Sequence, residues 1–148
     1  MITNGSRFKK IEDIHILADL LRAEGMCVYD LDCVDVLNGM YDSDDMLIGS
    51  FGLELFGGHA LLRSIVVISD LRGRGIGVDL VNNALESAKE HNVRQLYLLT
   101  TTADRFFAKF GFKITERNTA PESITSTTEF QTFCPDTAVC MKLTFKNE

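Results

Sequence analysis

The chain has 148 residues, enough to bury one sizeable core and too few for two ordinary domains. Its 45% apolar and 24% charged residues are those of a globular protein, and no apolar run approaches the ~20 residues that span a bilayer. Residues 1–58 carry 4 basic and 11 acidic side chains, while residues 59–148 carry 11 and 10, so the net charge of −6 comes from the first part. An acidic chain with no basic tract is not expected to bind nucleic acid, and the absence of a membrane span argues against a membrane partner. The opening residues lack an apolar signal core and a small-residue cleavage site, so a cytoplasmic location is expected.

In chain order, Ile11, Ile14, Leu17, Ala18 and Leu21 recur at helical spacing and predict a helix over 10–24, stopped by Gly25. Residues 26–32 carry no clear signal. Strands are expected at 34–41, 46–56 and 59–68, with the acidic 42–45 segment and Phe56-Gly57-Gly58 as hairpin turns. A helix over 77–91 follows, with Val78, Val81, Ala84, Leu85 and Ala88 on its apolar face and Asn92 at its end. A strand at 95–101, a short helix at 103–110 closed by Gly111, and strands at 113–117 and 137–145 complete the pattern. A Thr/Ser-rich stretch at 118–132 separates the last two strands. The order reads as an α/β sandwich without internal repeats.

Cys27, Cys33, Cys134 and Cys140 form two pairs with five residues between partners, wider than zinc pairs usually are, and His15, His59 and His91 are scattered. No metal site is expected. Free thiols packed as small apolar groups fit a reducing compartment, and a soft ligand such as trivalent arsenic is conceivable for them.

The most informative stretch runs from Leu61 to Gly77. Its β-branched run Ile65–Ile68 reads as a buried strand, and Gly73, Gly75 and Gly77 then alternate with Arg72, Arg74 and Ile76 before a helix starts. Free N–H groups of such a turn and of the first helical turn converge where the positive end of the helix dipole lies. Glycines let the backbone approach a ligand closely, and the arginines suit phosphate oxygens, so the segment reads as a pyrophosphate cradle. The dinucleotide fingerprint fails because Leu80 stands where its third glycine belongs, and no Gly-Lys-Ser/Thr follows to make a P-loop.

Arg72-Gly73-Arg74-Gly75-Ile76-Gly77 resembles the acyl-CoA signature of the GNAT acetyltransferases, Gln/Arg-x-x-Gly-x-Gly/Ala. The element order is similar to the GNAT fold over nearly the whole chain. The resemblance implies one domain over 1–148, a mixed and mostly antiparallel twisted sheet with helices on both faces. Residues 96–112 resemble the N-acetylglutamate synthase branch; Leu61–Ser64 and Cys134–Met141 are similar to small acetyltransferases encoded with arsenic-resistance genes. A further implication is acetyl-CoA-dependent transfer to the amine of a small molecule, an amino acid or amino-acid-like compound, with CoA as product. A protein acceptor, a non-catalytic acyl-CoA sensor and a homodimer are also within the family's range.

By the same resemblance, the backbone of Val66, Val67 and Ile68 pairs with the pantetheine arm, and one of its N–H groups polarises the thioester carbonyl. The strands carrying the cradle and the following one splay apart to admit that arm. Thr100 lies at the end of the second strand, either as a hydroxyl for the cofactor or as a helix cap, and Phe106 and Phe107 lie near the thiol or in the core. Glu54 is the candidate base that deprotonates the amine, or else a cross-strand salt-bridge partner of Arg63. An Arg in an apolar strand needs a partner, so Arg63 pairs with Glu54 or clamps a substrate carboxylate. Two departures stand out: Leu62 occupies a position where many family members carry a base, and Phe107 one where many carry an acidic Tyr.

Overall fold

The computed structural model describes residues 7–26, 28, 30–133 and 138–146. Seven strands form one sheet: β1 (Arg7–Lys10), β2 (Val36–Tyr41), β3 (Leu47–Phe56), β4 (His59–Val67), β5 (Gln95–Thr100), β6 (Lys113–Thr115) and β7 (Val139–Thr144). Their order is β1-β2-β3-β4-β5-β7-β6. The ladders β1–β2, β2–β3, β5–β7 and β6–β7 are antiparallel, and β4–β5 is parallel. The helices are α1 (Ile14–Ala23), α2 (Ile76–Glu90), α3 (Asp104–Ala108) and α4 (Glu122–Thr125). Mixed and mostly antiparallel, flanked by helices, this is the expected α/β architecture. By its contacts the chain divides into two compact units, Met1–Glu54 with Arg63–Ser87, and Leu55–Leu62 with Ala88–Glu148.

In the first unit, α1 starts where Asp13 accepts the His15 N–H at 3.0 Å, a side-chain cap. It ends as Gly25 and Met26 donate back to the carbonyls of Arg22 and Leu21. Leu17, Ala18 and Leu21 are buried and pack in one cluster with Ile11, Leu31, Leu37 and Val66. Ile14, expected on this face, is 39% exposed. Lys10, expected as the first residue of the helix, instead ends the edge strand β1, whose backbone pairs with β2, and α1 starts at Ile14. A 3₁₀ turn at Leu31–Cys33 lies in the segment that gave no signal.

The helix α2 buries Ile76, Leu80, Val81, Ala84 and Ala88, a stripe that recurs every four residues, while Val78 is 43% exposed and leaves the predicted face. Asn92 closes α2 in the left-handed conformation, φ 63°, with Asn92 donating to Lys89 and Val93 to Ala88. The strand β3 lies close to α2 at Gly49. A Cβ there would stand 2.8 Å from Leu80 Cδ1 and 2.9 Å from the Val66 carbonyl oxygen.

In the second unit, Leu61, Tyr97, Ala120, Ile124, Phe130 and Cys140 make a core cluster. The Thr/Ser-rich stretch expected as a separator supplies three of these residues and folds as a 3₁₀ turn, α4 and a π turn over Arg117–Thr119, Glu122–Thr125 and Glu129–Phe133. Thr127 stabilises that segment locally by donating to the Ile124 carbonyl at 2.7 Å. Of the cysteines, Cys33 is exposed and Cys140 buried, both free; Cys27 and Cys134 lie outside the described residues. No cluster of metal ligands is found among the described residues.

Because backbone cannot yield as a side chain does, Gly49→Ala is expected to lower the unfolding free energy by ~1–3 kcal/mol, read from urea denaturation.

Candidate functional site

The cradle occupies the turn between β4 and α2. A 3₁₀ turn at Ser69–Leu71 precedes it, and α2 begins at Ile76, one residue earlier than expected. Gly77 therefore belongs to the first helical turn. Gly73 and Gly75 have φ of 82° and 83°, a conformation that a side chain at Cβ would strain, and among the described residues no heavy atom beyond the adjacent residues lies within 4 Å of where either Cβ would stand. The Gly75 carbonyl accepts the Asp79 N–H at 3.2 Å, so the N–H groups of Ile76, Gly77 and Val78 have no intrahelical acceptor. Open backbone, free donors and the helix dipole fit an anion such as pyrophosphate. Arg74 is exposed. Arg72 is partly committed: its guanidinium pairs with Glu24 and its Nε donates to the Val67 carbonyl at 3.3 Å. Glu24 carried no sequence signal of this pairing.

The strand β4 has an irregularity that the sequence did not disclose. Ser64, buried within the strand, has φ 58°, and its carbonyl accepts the Ser50 hydroxyl at 2.7 Å. A two-residue Gly57–Gly58 turn would pair Ile48 with Val67, yet the Ile68 N–H donates to the Ile48 carbonyl at 3.0 Å. One extra residue in β4 accounts for that shift, which makes Ser64 a β-bulge. The Ile68 N–H is thus consumed by β3, which corrects the expectation that it was available to a ligand. Strand alternation turns the Val67 backbone groups the other way. The parallel ladder of β4 with β5 comprises His59–Leu61 and Gln95–Tyr97, while β4 continues to Val67 and β5 to Thr100.

The first unit also holds a buried ion cluster. Arg63 has no side-chain exposure. Its Nη1 donates to Glu54 Oε2 and Asp30 Oδ2, and its Nη2 to Asp30 Oδ1, each at 2.8 Å; Nε reaches Ser64 Oγ at 3.3 Å. The expected Glu54–Arg63 bridge is present. A substrate-carboxylate clamp at Arg63 is not favoured, because the guanidinium faces protein carboxylates without exposure to solvent. Asp30 was missed; the signal available was that one Glu leaves most donors of a buried Arg unanswered. Burial pushes the Glu54 carboxyl above its usual value, while the hydrogen bond and charge of Arg63 pull it down. Glu54 Oε1 has no hydrogen-bond partner among the described residues.

In the second unit, the Thr100 hydroxyl accepts the Ala103 N–H at 3.0 Å in the turn that leads into α3, whose N-cap residue Ala103 has no side-chain cap. Phe107 is buried, edge-on to Phe106 at 5.3 Å and to Phe112 at 5.7 Å, and Phe106 also meets Phe110 at 5.3 Å. Packing of Phe107 in this aromatic group accords with the core alternative.

A bulged strand, a glycine turn and a helix thus make an anion cradle, and the same strand carries a buried ion cluster. The chain belongs to the acetyltransferase (GNAT) family, whose profile matches residues 14–112. It is 30% identical over 112 residues to streptothricin acetyltransferase A of Bacillus subtilis (strain 168), covering 72% of this chain and 59% of that one. Its fold is similar to N-acetylglutamate synthase from Neisseria gonorrhoeae, complexed with coenzyme A and N-acetyl-glutamate, at TM-score 0.80 and 16% identity over 96% of this chain and 35% of the synthase. A Mycobacterium tuberculosis protein in complex with CoA is similar at TM-score 0.79 and 17% identity, over 95% of this chain and 99% of that one. The chain thus spans less than two thirds of the streptothricin enzyme and of the synthase.

Removing the cation from the cluster strands two buried carboxylates. Arg63→Met is expected to cost ~3–5 kcal/mol of stability near neutral pH. The loss should shrink as pH falls through the range where the carboxyls take up protons, which paired urea titrations would measure.

Proposed function

We propose that the chain, as one domain over 1–148, is an acetyl-CoA-dependent N-acetyltransferase. It moves an acetyl group by direct transfer to the amine of a small molecule, an amino acid or amino-acid-like compound. The observation that carries this reading is the open turn at Gly73 and Gly75 leading into the free N–H groups of α2, within a chain of the GNAT family. Acetyl-CoA supplies the activated thioester when bound. The residues Arg72, Gly73, Arg74, Gly75, Ile76 and Gly77 hold its pyrophosphate; Arg74 supplies the freer charge. The Val67 N–H, turned away from β3, meets the pantetheine arm and polarises the carbonyl, whereas the backbone of Val66, in phase with Ile68, faces β3, which corrects the expectation for that residue. Thr100 and Phe106 are assigned to cofactor binding by the family resemblance alone. A homodimer enters this reading as a family expectation alone, and a cytoplasmic location as an expectation from the sequence.

An ordinary amine of pKa ~8 to ~10 is mostly protonated near neutral pH and must lose a proton before it attacks. Glu54 serves as that base: Oε2 is anchored on Arg63 and Oε1 is left for the acceptor. Leu62 is buried and apolar, so it cannot take this part. With Phe107 in place of an acidic Tyr, the thiol leaves as the anion, tolerable for a pKa near ~8.5, at a cost of at most ~10²–10⁴-fold in rate.

The deciding experiment follows acetyl-CoA turnover as thiol release against amino acids, polyamines, peptides, arsenical amino acids and streptothricin, with a no-acceptor control for the protein thiols. Release that depends on one class of small amine supports the proposal. Release with peptides alone assigns a protein acceptor, and tight acetyl-CoA binding without acceptor-dependent release assigns a sensor.

Two predictions test the roles separately. Gly75→Val, forced into a left-handed conformation that costs ~1–3 kcal/mol, is expected to raise the acetyl-CoA Kd about tenfold or more by calorimetry, with unchanged circular dichroism. Glu54→Gln is expected to lower kcat ~10²–10⁴-fold with that Kd intact. A base works only unprotonated, and burial raises Glu54. Wild-type kcat/KM should therefore fall as pH drops through a value above the ordinary Glu range near ~4.3, a limb absent from the variant.

A further inference from the structure

Two buried carboxyls share the single positive charge of Arg63, and they share it unequally. Asp30 takes a two-pronged grip through Oδ1 and Oδ2, on Nη2 and Nη1, while Glu54 receives one bond from Nη1 through Oε2. Side-chain exposure is 0% for Arg63, 11% for Asp30 and 8% for Glu54, so water screens the group little. A bidentate carboxylate–guanidinium pair is the stronger and better-oriented arrangement. One cation against two carboxylates leaves a net negative charge in a poorly solvated place, and such a cluster holds a proton more readily than an isolated carboxylate does. The proton goes to the carboxyl with the weaker grip on the cation, which is Glu54.

We infer that Asp30 is a positioning residue for Glu54, acting through Arg63: it fixes the guanidinium so that Glu54 is anchored by one oxygen and keeps the other for the acceptor's proton. This rests on the reading of Glu54 as base. Without Asp30, Arg63 would turn its full fork on Glu54, and the resulting tight pair would be a poor base with neither oxygen free. The groups that face Glu54 are Arg63 on β4, Asp30 before the Leu31–Cys33 turn, Asp35 before β2, and Cys33, whose thiol feels both carboxylates. Burial and the charges of Asp30 and Asp35 raise Glu54, with Arg63 opposing them, in agreement with the geometry.

The test needs no acceptor. Protein labelled with ¹³C at Glu carboxyl carbons is titrated by NMR, and the Glu54 signal is assigned by its disappearance in Glu54→Gln. In the wild type Glu54 should titrate above the ordinary Glu value. In Asp30→Asn its proton affinity should fall about tenfold or more, one unit of pH, and Asp30→Glu should restore it. An unmoved or raised Glu54 titration in a folded Asp30→Asn overturns the inference. Where that variant does not fold, a wild-type Glu54 that titrates below the ordinary value overturns it equally. The base reading fails by a different outcome, undiminished turnover in Glu54→Gln, whatever the titration shows.

Discussion

A guanidinium with no solvent exposure has to be neutralised by the protein itself, and that requirement at Arg63 organises the first unit. Arg63 draws Glu54 from β3 and Asp30 from the segment after α1 to within hydrogen-bond distance, so two strands and a loop are tied at one point. Such a cluster is costly to assemble and weak as a source of net stability, because desolvation offsets much of the attraction. The cluster thus sits in a strand otherwise lined by Leu61, Leu62, Val66 and Val67 and adds little to its net stability.

The next residue, Ser64, turns the same point into a change of course for β4. Its left-handed backbone displaces the register with β3 by one residue, and the Ser50 hydroxyl satisfies the carbonyl that the bulge turns aside. The strand then runs to Val67 and into the Ser69–Leu71 turn, which delivers Gly73 and Gly75 to the start of α2. The arginine of the ion cluster, a bulge and an anion cradle are thereby arranged along the single stretch Arg63–Gly77. Close contact of Gly49 with Val66 and Leu80 holds β3, β4 and α2 together beneath it.

Much of this was legible in the residues. The two hairpin turns, the helix stops at Gly25 and Asn92, and the glycine turn before α2 are local signals, governed by φ preferences and capping geometry that act within a few residues. The strands β2 to β5 read correctly because alternation and β-branched runs survive in any context where one face is buried. Residues 7–10 did not, since an edge strand needs only a partner and leaves little apolar pattern. The 118–132 stretch hid a helix and a π turn for a similar reason: short elements held by packing of Ala120, Ile124 and Phe130 have no room for a period. Val78 and Ile14, counted as core by spacing, are exposed because periodicity marks a stripe and tertiary packing chooses its centre.

The sequence by itself determined the architecture, the acyl-CoA signature and the suitability of Arg72–Gly77 for a phosphate, because each depends on neighbours a few positions apart. It also required that Arg63 have a partner, since burying a lone charge is prohibitive. Glu54 was legible as one partner from strand pairing; only the tertiary structure supplied the second, Asp30. Asp30 lies 33 residues from Arg63 in the chain and in a segment without periodic signal, so no local rule could pair them. The same holds for Arg72 with Glu24, for the bulge at Ser64, and for the Ile68 N–H that β3 claims. Each is fixed by where distant backbone comes to lie, a property of the folded chain that pattern and spacing do not carry.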